Sequence, residues 1–115
     1  MARDVRVILT EILDAIELAR EATGALDLAA FESNRIRAAA AGRAVEIVSE
    51  AVRHLPQDLT ARHTQIPWAD IRNIGNKLRH EYHRVDRKIL LDIVRYDLDG
   101  LEKVIRAELF RAGTP

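Results

Sequence analysis

Apolar residues recur at helical spacing along this chain, and nowhere do they alternate with period two. A helix returns its side chains to one face about every 3.6 residues, whereas a strand alternates them between two faces, so the pattern admits helices and excludes half-buried strands. Val5, Ile8, Leu9, Ile12, Leu13, Ile16 and Ala19 predict a first amphipathic helix over about 3–22, with Gly24 as its C-cap. Asp27 caps a short turn through Phe31. Ile36, Ala40, Ala44, Ile47, Val48 and Ala51 then predict the core stripe of a second long helix ending near His54. Ala38, Ala41, Val45 and Val52 form a second apolar edge, and the small residues from Ala38 to Gly42 leave room for another backbone. Pro56 opens a short helix through about Arg62, His63-Thr64-Gln65 is loop, and Pro67 opens a helix carrying Trp68, Ile71, Ile74 and Leu78. Asp86 is the N-cap of a last helix whose stripe runs Leu91, Val94, Leu98, Leu101, Ile105, Leu109 to about Arg111. The expected fold class is all-α: an up-and-down four-helix bundle with short extra helical turns, residues 1–115 forming one domain.

With 48% apolar residues in 115, one core is affordable and a second is not. No apolar run approaches the roughly 20 residues that cross a bilayer. The N-terminus mixes an acid among its bases and has no apolar signal core, so a cytoplasmic protein is expected. The absence of cysteine excludes disulfides, thiolate metal sites and cysteine nucleophiles. Net charge is zero, yet fifteen of eighteen bases are Arg, the better planar binder of phosphate. Between Arg72 and Lys88 six bases and two His face only Glu81 and Asp86, so positive charge is local.

Arg72, Asn76, Arg79, His80 and His83 fall within an arc of about 100° on a helical wheel, away from the apolar arc of Ile71, Ile74 and Leu78. No carboxylate of that helix neutralises the face. An imidazole titrating near neutrality moves a proton, a guanidinium holds a phosphate and its developing charge, and an amide orients either. Any amphipathic helix has a polar face, so the wheel alone does not establish catalysis. The alternatives are poorer. His80 and His83 are three apart rather than the four of a zinc-binding HExxH helix, so no metal is expected. His54 and His63 read as helix-end and loop residues, and Trp68 as a core anchor rather than a base-stacking platform. Neither a phosphate-cradling Gly-rich loop nor a GxSxG elbow is present, and no cofactor is expected.

The segment Ile66-Pro-Trp-Ala-Asp-Ile-Arg-Asn-Ile-Gly-Asn-Lys-Leu-Arg-His-Glu-Tyr-His-Arg-Val-Asp86 resembles the HepT-like family of the HEPN superfamily, in which a Pro-Trp helix start leads into Asn-x-Leu-x-His-x-Tyr and Val-Asp. Phe31-Glu-Ser-Asn-Arg-Ile-Arg, Arg43-Ala-Val-Glu-Ile-Val-Ser-Glu-Ala51 and Leu55-Pro56 resemble its second helix. The resemblance implies an all-α homodimer and a metal-independent endoribonuclease, the toxin of a toxin-antitoxin pair whose antitoxin is a minimal nucleotidyltransferase. Carried over by position, the motif His is His80, the motif Asn is Asn76, and the Tyr that the partner AMPylates is Tyr82. His83 is auxiliary. The motif Arg has no counterpart: Gly75 stands where the family usually has it, leaving Arg72, eight residues before His80, or Arg79, adjacent to it, to supply the guanidinium. The competing class is a catalytically silent interaction protein, substrate or docking partner of a nucleotidyltransferase. A homodimer is expected to form through the second long helix and the Pro67–Tyr82 helix, because a monomer would leave Val45 and Val52 exposed.

Overall fold

Short polar side chains set where four of the helices begin. A computed structural model of the chain describes residues 4–81 and 86–113. Asp4 accepts the Arg6 N–H at 2.9 Å to start α1 (Val5–Thr23), and Gly24, at φ +51°, ends it by donating its N–H to the Arg20 carbonyl. Asp27 accepts the Ala30 N–H at 2.8 Å and starts α2 (Leu28–Ser33), which buries Phe31. Asn34 ends α2 and caps α3 (Arg35–Val52) by accepting the Arg37 N–H at 3.0 Å. Pro56 takes the cap of α4 (Gln57–Ala61) rather than its first helical position, and α5 spans Trp68–Glu81. Asp86 accepts the Lys88 N–H at 2.7 Å and starts α6 (Arg87–Asp92), as expected. The last helix is one rod with a π-helical turn at Ile93–Asp97 before α7 (Leu98–Ala112). α6 lies on α2 and α3 while α7 lies on α1, and the wider turn between them changes which face points inward.

α1, α3, α5 and the α6–α7 rod are the four main helices of an all-α bundle, and α3 is its centre. The seams α1–α3, α3–α5 and α1–α7 are closely packed, whereas α5 and the α6–α7 rod flank a cleft of about 800 Å³ lined by Ile66, Ile71, Ile74, Ile89 and Ile93. Lying between two neighbours, α3 buries half its circumference. Ala38, Ala41, Val45 and Val52 are all buried inside the chain, and so are Ala44, Val48 and Ala51. The edge expected to await a second subunit is therefore the middle of the buried face, and the expected core stripe is its margin. Ile36, about 150° from the centre of that face, is 82% exposed. The argument for a dimer from exposed Val45 and Val52 does not hold.

Two ionic clamps close the bundle ends. Arg20 of α1 reaches Asp99 at 2.6 Å and Glu102 at 2.7 Å on α7. Glu108 of α7, only 6% exposed, receives Arg62 at 2.8 Å and His63 at 2.6 Å. Hydrogen bonding from Arg62, against the opposing effect of burial and with help from His63, holds the Glu108 carboxyl below its ordinary range. His63 is thus a loop residue, as expected, but a partnered one. The buried indole of Trp68 donates to the carbonyls of Thr60 at 3.1 Å and His63 at 3.0 Å, anchoring the start of α5. Among the described residues, no helix is long and apolar enough to cross a membrane.

Candidate nucleic-acid interface

α5 is fixed by its apolar side and works with its polar side. Leu78 is buried and Ile71 and Ile74 half-buried against the core, which turns Asn76, Arg79 and His80 outward. Arg72 is half-buried and meets α3 through its main chain: its carbonyl accepts from Ser49 Oγ at 3.1 Å and Arg53 Nη2 at 3.3 Å. Asn76 Oδ1 accepts from Arg79 Nη2 at 2.7 Å, one helical turn apart, so the amide fixes the guanidinium. Arg79 and His80 occupy the last turn of α5, where the exposed carbonyl end of a helix favours cations. Two expected site residues, Tyr82 and His83, lie outside the described residues.

Packing explains the missing motif arginine. Gly75 is buried at the crossing of α3 and α5, and a β-carbon placed on it would fall 2.0 Å from Ser49 Oγ and 2.4 Å from Ser49 Cβ. Rotating the hydroxyl does not relieve the second contact. A side chain at position 75 would overpack against Ser49, and the guanidinium that meets Asn76 on this face is that of Arg79.

The face also holds residues that the sequence reading passed over. Glu50 of α3 lies 3.4 Å from Arg79 Nη1, 3.7 Å from Arg53 Nε and 3.5 Å from His54 Nε2. A neutralising carboxylate thus reaches this face from α3, the neighbouring helix. Partial burial opposes ionisation of Glu50 as the largest single effect, yet the hydrogen bonds from Arg79 and His54 and the charges of Arg79 and Arg53 together hold its pKa below the ordinary value. The only signal in the sequence was the Ser49-Glu50 pair within the segment that resembles the family's second helix. The cleft on the other side of α5 contains Asn76 but neither Arg79 nor His80, and its lining is chiefly aliphatic. Among the described residues, no group of three or more His, Asp or Glu is placed to hold a metal ion.

Comparison with known proteins places the chain in a family. The chain is 33% identical over 102 residues to "Probable ribonuclease HepT" of Thermococcus cleftensis, covering 89% of this chain and 93% of that one. It is 30% identical over 101 residues to a protein of Caldanaerobacter subterraneus subsp. tengcongensis (88% and 90% covered) and 31% over 103 residues to one of Methanocaldococcus jannaschii (90% and 94%), both named as candidate RNases. No solved structure gives a significant match. The family model described as Ribonuclease HepT-like matches residues 12–108, which include the whole of α3 and α5, and the chain belongs to that family.

Proposed function

We propose that the protein is a metal-independent endoribonuclease acting through the polar face of α5. The observation that carries this reading is the Asn76–Arg79 contact at 2.7 Å beside exposed His80. In the step envisaged, a ribose 2′-oxygen attacks the adjacent phosphorus and the 5′-oxygen of the next nucleotide leaves, giving a 2′,3′-cyclic phosphate and a 5′-hydroxyl. His80 takes the 2′-OH proton or delivers one to the leaving oxygen; Arg79, rather than the half-buried Arg72, balances charge on the non-bridging oxygens. Asn76 positions Arg79, and His83 is auxiliary. The test is incubation of the purified protein with total RNA in EDTA. Cleavage that falls roughly 100-fold or more in His80→Ala supports the assignment, and cleavage that needs a divalent ion overturns metal independence.

The family likeness supports the remainder of the proposal. The protein acts as a homodimer, its cleft shared between two copies, and light scattering that gives a monomer at tens of micromolar would remove that part. It is the toxin of a pair whose antitoxin is a nucleotidyltransferase, which silences it by adding AMP to Tyr82. Co-expression with such a partner and intact-mass measurement tests this, and AMP units that persist in Tyr82→Phe place the acceptor elsewhere. The proposal includes a cytoplasmic setting, where RNA and a nucleotidyltransferase partner would both be met. One observation favours the competing reading of a catalytically silent docking protein: Gly75 lies packed where the motif Arg would be. Intact total RNA after incubation with unmodified protein would decide for it.

A further inference from the structure

We propose that Arg53, His54 and Arg79 form a phosphate subsite for single-stranded RNA beside His80, occupied in the free protein by the carboxylate of Glu50. Three nitrogen donors from two neighbouring elements converge on this one oxyanion, at 3.4 Å from Arg79, 3.5 Å from His54 and 3.7 Å from Arg53. All three distances exceed the roughly 2.7–2.9 Å of a well-formed charge-assisted bond. The carboxylate is 50% exposed and sits on a flexible side chain, so turning it into solvent forfeits little. Two of the donors have anchors of their own. Asn76 holds Arg79 at 2.7 Å, and Arg53 is tied to the Arg72 carbonyl at 3.3 Å.

An RNA phosphate entering here replaces one anion with another of larger radius and more acceptor oxygens, which reaches all three donors at once. Arg79 belongs both to this subsite and to the Asn76–Arg79–His80 group, so a phosphate held here is next to the one His80 addresses. Glu50 thereby acts as a competitor: nucleic acid binds only by displacing it, and its charge repels the polyanion until it turns away. The ribonuclease reading supplies the identity of the polyanion, while the subsite itself rests on the geometry.

The experiment measures binding of a fully 2′-O-methylated single-stranded oligoribonucleotide, which lacks the attacking hydroxyl and stays intact, to the full-length protein across a range of salt concentrations. Cleavage of total RNA is followed in parallel. Glu50→Gln, which keeps the size and one acceptor oxygen but removes the charge, is expected to bind about five- to tenfold more tightly, from the removal of one opposing charge. Arg53→Ala is expected to bind less tightly and to flatten the dependence of log affinity on log salt by about 0.7, the loss of one phosphate contact on a single strand. Both variants should melt as the wild type does. Glu50→Gln binding no tighter than wild type overturns the subsite, as does an unchanged salt slope in folded Arg53→Ala. Because binding is read on an uncleavable strand, tighter binding by Glu50→Gln without cleavage of total RNA upholds the subsite and removes only the ribonuclease reading.

Discussion

Glu108 and Glu50 meet the same kinds of partner, arginine and histidine, and are put to opposite uses. Glu108 is 7% exposed at its side chain and grips Arg62 and His63 at 2.8 and 2.6 Å, tying the segment after α4 to α7. Glu50 is 50% exposed and no partner comes nearer than 3.4 Å. A carboxylate withdrawn from water must keep its donors, because losing one strands charge in the interior; a carboxylate at the surface exchanges donors with solvent at almost no cost. The same chemistry therefore gives a fastener in one place and a removable occupant in the other.

The largest way to sharpen this contrast is Glu108→Ala. Leaving Arg62 and His63 without their shared acceptor is expected to lower stability by about 2–3 kcal/mol, or roughly 8–12 °C in Tm for a chain of this size, read by thermal melts monitored by circular dichroism. Next comes the seam beneath Glu50. Gly75→Ala is expected to lose about 1–2 kcal/mol by overpacking against Ser49, even though Ala exceeds Gly in helix propensity by roughly 1 kcal/mol. In a Ser49→Gly background the same substitution should become neutral or stabilising, and equal losses in both backgrounds would show that the seam is not where the strain falls.

Acid provides a smaller effect. The Glu108 carboxyl titrates below its ordinary value of 4.5 when folded, so its contribution is complete above that pH and is lost as pH falls through the lower folded value. Urea midpoints for wild type and Glu108→Gln should differ most near neutrality and converge below pH 4.5. Glu50→Ala, the smallest change, is expected to leave the melting temperature essentially that of the wild type. A clear loss would make Glu50 a second fastener and erase the contrast.

Helix order was legible from short-range signals: the caps Asp27 and Asp86, the Pro67-Trp68 start, and the spacing of Ile71, Ile74 and Leu78. These act within one or two turns, which is the range of periodicity and capping. The inward face of α3 was misjudged because periodicity locates apolar residues but does not count neighbours, and a helix packed on two sides buries a wider arc than one stripe. The π turn at Ile93–Asp97 left no mark in an apolar spacing that a continuous α-helix satisfies equally well. At the site, Asn76, Arg79 and His80 were readable because they share a helix. Glu50 lies 29 residues from Arg79 and Glu108 lies 45 from His63, and nothing in a local pattern joins them.

The contact between Gly75 and Ser49 also ties the sequence of one helix to that of another. A β-carbon at position 75 would fall 2.4 Å from Ser49 Cβ, so an arginine placed there is expected to call for a smaller residue at 49 as well. The two positions are coupled: what stands on α3 limits what α5 can carry. Exchanging both positions together, Ser49→Gly with Gly75→Arg, is therefore expected to be tolerated better than Gly75→Arg alone.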